Sequence, residues 1–156
     1  MKYHYVLISA LILFLSTSHY LGYTPIAVTV LFLFASVTAY VLYAKDKAAA
    51  KAGAWRVSEN TLHVVAVLFG WPGALVAQER LRHKTKKQSF RVVFWLSVLV
   101  NVSGIVWLHS PQGNAQLRDN LYQFENFVIS KVPYEATVLT VLFLTELRAN
   151  DVEWLR

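Results

Sequence analysis

The stretch TLHVVAVLFGWPGALVAQERLRHKTKKQSFR, residues 61–91, is the part of the sequence from which the fold can be worked out. Its first part, 61–78, contains no Asp, Glu, Lys or Arg, and the densest basic run of the chain follows directly. Such a segment is barely long enough to cross a bilayer. At its centre, Gly70-Trp71-Pro72-Gly73 predicts a break, because proline removes a backbone donor and glycine permits a sharp bend. Residues 61–80 are therefore predicted to form either a kinked span or a re-entrant helical hairpin.

The composition of the whole chain predicts an all-α integral membrane protein. Of its 156 residues, 56% are hydrophobic, and the mean hydropathy is +0.41, which excludes an ordinary soluble domain. No charged residue occurs between Tyr3 and Ala44, which leaves room for spans at about 5–22 and 25–44, and a third span is predicted at 90–109. The first run also resembles a cleaved secretory signal. Because the next apolar run follows within a few residues, we interpret the first run as a retained span.

The positive charges indicate how these segments are oriented. The loops 45–60 and 79–91 hold ten of the fifteen Lys and Arg residues. If 61–78 crossed the membrane, these loops would lie on opposite faces, and one would contradict the positive-inside rule. If the segment turns back, both loops lie in the cytoplasm. We therefore favour re-entry, in the inner membrane of a bacterium with a cytoplasmic N-terminus. Irregular backbone at that depth must be buried in protein or line a cavity, so a re-entrant turn would itself hint at a site.

Beyond the membrane domain 1–109, the character of the sequence changes. Apolar residues recur at helical spacing among polar ones, which predicts an amphipathic helix; these are Leu117, Leu121, Phe124 and Val128. Val132-Pro133 should end that helix. The apolar run 136–145 is too short to span and is predicted to lie at the membrane interface or on the bundle. Because acids outnumber bases after residue 110, we place the helical tail 110–156 outside.

Several local signals predict helix ends and contacts. Gly53 is a natural C-terminal signal for a helix that continues beyond residue 44. Ser58 is predicted to be an N-cap, and Thr85-Lys86-Lys87-Gln88 fits a capping box. Asn101 and Ser103, inside the third predicted span, are expected to form hydrogen bonds between helices.

A set of spaced polar and glycine positions resembles a known family. The pattern consists of Asp46-Lys47, Trp55-Arg56, Glu59, Leu62-His63, Gly70-Trp71-Pro72-Gly73, His83-Lys84, Lys87 and Ser89-Phe90. It resembles the YsdA-like bacterial integral membrane family, domain of unknown function 1294, over about residues 40–96. The resemblance implies no established activity. Some relatives look like fusions to a cold-shock nucleic-acid-binding domain, but this chain lacks that domain and its aromatic-basic strand pattern, so direct nucleic-acid binding is not expected.

One group of these residues predicts the recognition of an anion. The candidate ligand-binding residues are Asp46, Lys47, Arg56, His83, Lys84 and Lys87. Arginine can grip a phosphate with two donors, and lysines supply point charges. If the protein is an interfacial enzyme, His63, His83 and Glu59 are the candidates for acid or base. The simpler alternative is a solvated basic face that only orients the protein, although orientation does not require Asp46, Glu59 or the histidines.

A second group suggests a metal site. Glu59 with His63, and Glu79 with His83, are spaced at i and i+4, so each pair would face one way on a helix. If the chain folds back, the two pairs could converge into an acceptable ligand set for zinc or another divalent ion. The alternative is that these are interfacial polar residues that pair with nearby lysines. The sequence identifies no cofactor.

The competing functional hypothesis is a non-catalytic membrane adaptor. Its basic loops would recruit a protein or nucleic-acid partner, and a charge-preserving change such as Arg56→Lys would be harmless. Under either hypothesis the expected partners are membrane lipids with anionic headgroups, and a homo-oligomer is compatible with both.

Overall fold

The computed structural model of the protein describes residues 2–84 and 87–147. Within these ranges the chain forms seven α-helices and no strand, as the sequence predicts. The helices are α1 (Lys2–Tyr20), α2 (Ile26–Ala52), α3 (Glu59–Val65), α4 (Trp71–Leu81), α5 (Gln88–Leu108), α6 (Pro111–Lys131) and α7 (Glu135–Thr145), with a short turn at Ala66–Gly70 between α3 and α4.

Three segments of the described chain are long and apolar enough to cross a membrane: Ile26–Ala52, Glu59–Leu81 and Gln88–Leu108. The α1 helix, which we predicted to be the first span, is not among them, because polar residues at both ends leave it a short apolar centre. Large apolar side chains are exposed on the long helices, for example Phe34, 71% exposed, and Leu99, 60% exposed. Length, composition and these exposed apolar surfaces indicate a membrane protein.

The chain divides into two compact units. The first contains the residues up to Leu11 together with Val30–Gly104, and the second contains Ile12–Thr29 together with the described residues from Ile105 onward. The first unit holds the hairpin and all of the predicted site residues.

The predicted end of α2 at Gly53 and the predicted start of α3 at Ser58 are both observed. The α2 helix ends at Ala52, and Gly53 adopts a positive φ of 63°, a backbone conformation that glycine adopts at no steric cost. The Ser58 hydroxyl accepts a hydrogen bond from the Thr61 amide, so it is the predicted N-cap of α3. Thr85 and Lys86 of the predicted capping box lie outside the described residues.

Between α3 and α4 the chain turns back on itself and forms a helical hairpin. The Glu59 carboxylate, at the start of α3, lies 2.9 Å from Lys84 Nζ, just beyond α4. A straight helix would hold residues that far apart in sequence roughly 37 Å from each other. The bend lies at Leu68 and at Phe69, which has a φ of 69°. The sequence prediction of a bend centred on Gly70–Gly73 is therefore slightly displaced, and the left-handed residue is a phenylalanine whose ring packs 4.9 Å from that of Phe32.

The two glycines next to the bend allow close packing of α4 against α2. A Cβ on Gly73 would lie 1.8 Å from the Ser36 carbonyl oxygen, and one on Gly70 would lie 2.8 Å from the Ala35 carbonyl oxygen. Pro72 lies in the first turn of α4. A backbone N–H has no acceptor within the helix at that position, so the lack of an N–H in proline breaks no helical hydrogen bond. Small residues at a helix interface let two backbones approach, which is a common device for packing helices in membranes.

Asn101, on α5, satisfies the backbone at the bend. Its side-chain amide donates to the carbonyl oxygens of Val67 and Ser97, each at 2.9 Å. The side chain is only 4% exposed, so its amide is held between the segments and not in solvent. A neighbouring polar side chain of this kind lets a broken helix persist where solvent is absent. The predicted interhelical role of Asn101 is confirmed, whereas Ser103 is exposed.

In the second unit, α6 and α7 form the helical part of the predicted tail. Ser110 caps α6 by accepting from the Gly113 amide, and Val132 and Pro133 separate the two helices as predicted. The Thr145 hydroxyl donates to the Glu125 carboxylate across the pair. Residues 148–156 of the predicted tail lie outside the described residues.

Candidate functional site

A buried carboxylate lies at the end of the hairpin where α3 begins and α4 ends. Asp46, on α2, is completely shielded from solvent. Arg56 donates to it through Nε and Nη2, each at 3.1 Å, in a bidentate fork. His83 Nε2 donates to the same carboxylate at 2.7 Å, and Lys84 Nζ lies 3.7 Å away. A buried carboxylate needs such partners, because an isolated charge in a protein interior is very costly.

A second carboxylate, that of Glu59 at the start of α3, extends this arrangement. It accepts from Lys84 at 2.9 Å and from Lys87 at 2.7 Å. Lys84 therefore lies between both carboxylates and links the two ends of the hairpin to α2. We call these residues the mouth cluster: Asp46, Arg56, Glu59, His83, Lys84 and Lys87.

The mouth cluster carries a positive balance of charge. Three permanent cations, Arg56, Lys84 and Lys87, face two carboxylates, which leaves one net positive charge. Its hydrogen bonds to Asp46, together with the charge of that carboxylate, raise the pKa of Arg56 above its usual value, so the guanidinium stays charged. The side chains of Arg56 and Lys87 are 47% and 56% exposed, whereas that of Lys84 is 10% exposed. Arg56 and Lys87 are therefore the cations that an incoming anion would meet.

Lys47, the remaining predicted ligand residue, has a different partner. Its Nζ donates to the Leu81 carbonyl oxygen, at the C-terminal end of α4. A lysine in this position satisfies a carbonyl that the helix leaves free and complements the helix dipole. Lys47 thus fastens α4 to α2 beside the mouth cluster.

A cavity of about 370 Å³ opens beside the mouth cluster. It has both polar and apolar lining residues, which are Glu59, Asn60, His63, Val64, Ser89, Phe90 and Val93. The His63 ring lies 4.4 Å from that of Phe90, and Lys84 Nζ lies 5.7 Å from the centre of the Phe90 ring. The His63 Nδ1 atom is buried and has no hydrogen-bond partner among the described residues. Glu59 belongs both to this cavity and to the mouth cluster.

The four candidate metal ligands do not come together. Glu59 and His63 share α3 as predicted, but the Glu79 carboxylate lies 3.0 Å from His4 Nδ1. Because α4 ends at Leu81 and Arg82 adopts a left-handed conformation, His83 leaves the helix on which the Glu79–His83 spacing relied. Within residues 2–84 and 87–147, no group of three His, Asp or Glu side chains is placed to hold a metal ion.

The comparisons with known proteins identify the family. Residues 36–90 match a family described as a protein of unknown function, DUF1294. The uncharacterized protein YsdA of Bacillus subtilis (strain 168) is 35% identical over 66 residues, which cover 42% of this chain and 74% of that relative. The chain belongs to the DUF1294 family. The resemblance found in the sequence is thereby confirmed, and no solved structure matches the chain.

The segment that matches DUF1294 contains the whole mouth cluster, from Asp46 to Lys87. It also holds a signal in α2 that predicts the burial of Asp46. Ala39, Tyr43 and Asp46 follow one another at helical spacing and are all buried, so the carboxylate continues an apolar face. Tyr43 is itself held by a hydrogen bond from Gln78, at 3.3 Å. The pairing of His4 with Glu79 has no comparable signal, because His4 lies far outside the family segment.

Proposed function

We propose that this DUF1294 protein lies in the bacterial inner membrane and binds a phosphate-type anionic headgroup at the cytoplasmic mouth of a re-entrant hairpin. The observation that carries the proposal is the mouth cluster, where Arg56 and Lys87 stay exposed while a buried carboxylate orients the guanidinium.

Re-entry is supported by the contacts that close the hairpin. The basic loops 45–60 and 79–91 meet through Asp46 and His83, so the backbone leaves this end of the unit and returns to it. The N-terminal turn of α1 reaches the same hairpin, since His4 pairs with Glu79. By the positive-inside rule, an end that gathers this many basic residues faces the cytoplasm. Because His4 lies at this end, the proposal places the N-terminus there too and requires α1 to cross the membrane, although it is less apolar than the three segments named above.

Binding would use an unoccupied donor of Arg56 and a change of partner at Lys87. Asp46 engages Nε and Nη2 of Arg56, which leaves Nη1 for a phosphate oxygen. Lys87 would release the Glu59 carboxylate and bind the phosphate. Glu59 would keep Lys84 as its partner. The apolar part of an amphiphilic ligand would then lie over Val64 and Val93, which line the adjacent cavity.

The membrane arrangement is tested by single cysteines in this naturally cysteine-free chain. Ala54 and Gln88 flank the hairpin and are both exposed, so Ala54→Cys and Gln88→Cys should accept a membrane-impermeant maleimide. We expect both to be labelled only from the cytoplasmic side. Labelling from opposite sides would show that 59–81 spans the membrane, and would overturn the re-entrant hairpin.

Ligand binding is tested on the full chain in phosphatidylcholine nanodiscs, with water-soluble dihexanoyl phosphatidic acid as the probe and dihexanoyl phosphatidylcholine as its neutral counterpart. The phosphatidic acid should raise the thermal midpoint of unfolding. Arg56→Ala should weaken its apparent affinity about tenfold, the effect of losing one charge-assisted contact. Lys51→Ala removes an exposed positive charge from the last turn of α2, close to Arg56 in sequence, and should leave the response unchanged. Equal responses in both variants would refute the proposed site.

Arg56→Lys separates the proposed site from the adaptor hypothesis. Lysine preserves the charge but cannot form the two-pronged pair with Asp46, so probe binding should fall nearly as far as in Arg56→Ala. Full binding by the lysine variant would show that only charge matters, and would favour the adaptor.

A further inference from the structure

A second cavity in the first unit, of about 390 Å³, lies away from the mouth cluster and shares no residue with the cavity beside it. Its polar lining residues are His4, Gln78, Glu79, Arg82 and Arg91, and its apolar lining residues are Leu75, Phe94 and Trp95. It therefore combines two guanidinium groups with an apolar surface, which is the combination that an anionic amphiphile requires.

The two arginines of this cavity are not committed elsewhere. Among the described residues, the side chains of Arg82 and Arg91 have no hydrogen bond or ion pair, although both line the same cavity. Glu79 lines the same cavity, but its carboxylate lies 3.0 Å from His4 Nδ1 and forms no ion pair with either arginine among the described residues. Two unpaired arginines at one cavity offer a phosphate several donors in fork geometry.

From this cavity an apolar groove continues along α5. Arg91 and Trp95 also line an adjoining space of about 340 Å³, which includes Leu96 and Leu99. Arg91, Trp95 and Leu99 are spaced at i and i+4 and so lie on one face of α5. Trp95 and Leu99 are 40% and 60% exposed. From Arg91 to Leu99 the helix rises roughly 12 Å, which matches a substantial part of an acyl chain.

We infer that this groove is a binding site for an anionic membrane phospholipid. The phosphate would lie between Arg82 and Arg91, and one acyl chain would follow Trp95 towards Leu99. Tryptophan is favoured at the level of the headgroups, so Trp95 would mark the boundary between the two parts of the lipid. The charge of the two arginines selects an anionic headgroup, and the length of the groove requires a long chain. The site does not depend on the function proposed for the mouth cluster.

The test uses the purified full chain in a neutral detergent. Native mass spectrometry follows the binding of long-chain phosphatidylglycerol and, separately, of phosphatidylcholine with the same chains. We expect one phosphatidylglycerol to bind in preference to phosphatidylcholine. Arg82→Gln/Arg91→Gln should weaken this binding tenfold or more, about the effect of losing one or two charge-assisted contacts. Loss of binding counts only when size-exclusion chromatography and circular dichroism show an intact helical protein.

The matched control is Lys45→Gln/Lys51→Gln, which removes two positive charges from exposed positions on α2. It should bind phosphatidylglycerol as the unmodified protein does. An equal loss in both double variants would reveal a general attraction to positive charge and overturn the site, as would an unchanged affinity in the arginine variant.

Two further measurements distinguish this groove from a site for the headgroup alone and from the mouth cluster. Glycerophosphoglycerol, which has the headgroup without the chains, should not displace the lipid, and efficient displacement would refute the acyl groove. In the phosphatidic acid assay, Arg82→Gln/Arg91→Gln should respond as the unmodified protein does, because neither arginine belongs to the mouth cluster, whose residues line neither space. If Arg56→Ala, with its fold intact, abolished the binding of phosphatidylglycerol, the phospholipid would be bound at the mouth cluster, and the inference would fail while the proposed function stood.

Discussion

Gly73→Ala is expected to force α4 away from α2. The added Cβ would lie 1.8 Å from the Ser36 carbonyl oxygen and 2.4 Å from the carbonyl carbon. Real Cβ contacts essentially never fall below 3.0 Å, so the helices must separate by about 1.2 Å, the difference between the two distances. Because the obstacle is backbone, no side-chain rotation can relieve it.

The energetic consequence follows from this displacement. Overpacking typically costs about 1–3 kcal/mol, and a clash with backbone belongs at the upper end of that range. Alanine recovers up to about 1 kcal/mol of helix propensity, so we expect a net loss of about 2 kcal/mol. Separation of the helices would also draw His83 away from Asp46, which it now contacts at 2.7 Å. The variant should therefore lose much of its response to phosphatidic acid.

The assay is reversible unfolding in mixed micelles with increasing dodecyl sulfate, followed by circular dichroism. Gly104→Ala is the matched control, because a Cβ on Gly104, in α5, would meet no atom within 4 Å. That substitution should be neutral or stabilise the protein by up to about 1 kcal/mol. If Gly73→Ala proved as stable as the unmodified protein, or if Gly104→Ala were destabilised as much, the close packing of α4 on α2 would be refuted.

Three further predictions concern the polar contacts of the first unit. Asn101→Leu should lower the free energy of unfolding by about 1–2 kcal/mol in the same assay, because it leaves carbonyls at the bend without a donor. The control Ser103→Ala should have no effect, and equal stability of the two variants would exclude a role for Asn101 at the bend. Asp46→Asn should cost about 1.5–3 kcal/mol, since it removes the charge from the buried group that accepts from Arg56 and His83, and an unchanged unfolding midpoint would show that the carboxylate does not hold the cluster together. The double variant Asp46→Asn/Arg56→Ala should lose less free energy of unfolding than the two single variants together, because the two side chains share one interaction. Strict additivity in this double-mutant cycle would argue against the fork between Arg56 and Asp46.

Much of the candidate site could be predicted from the sequence. Every predicted anion-binding residue lies in or next to the mouth cluster, because a polar residue in so apolar a chain has few places to lie without cost. The roles could not be predicted equally well. Asp46 is the buried centre that orients Arg56, and Lys47 binds the end of α4. Such roles depend on which groups meet across more than thirty residues of chain.

The sequence by itself determined the class of the protein, its family and its helix ends. These depend on local properties: the apolar length of a segment, the glycine at position 53 and the cap at Ser58 act through neighbours along the chain. Only the tertiary structure decided that the bend falls at Phe69, that Gly73 serves packing, and that Glu79 pairs with His4. The physical reason is that each of these features depends on a contact between segments that are distant in sequence. Packing and ion pairing across such contacts select among local conformations that are otherwise close in energy.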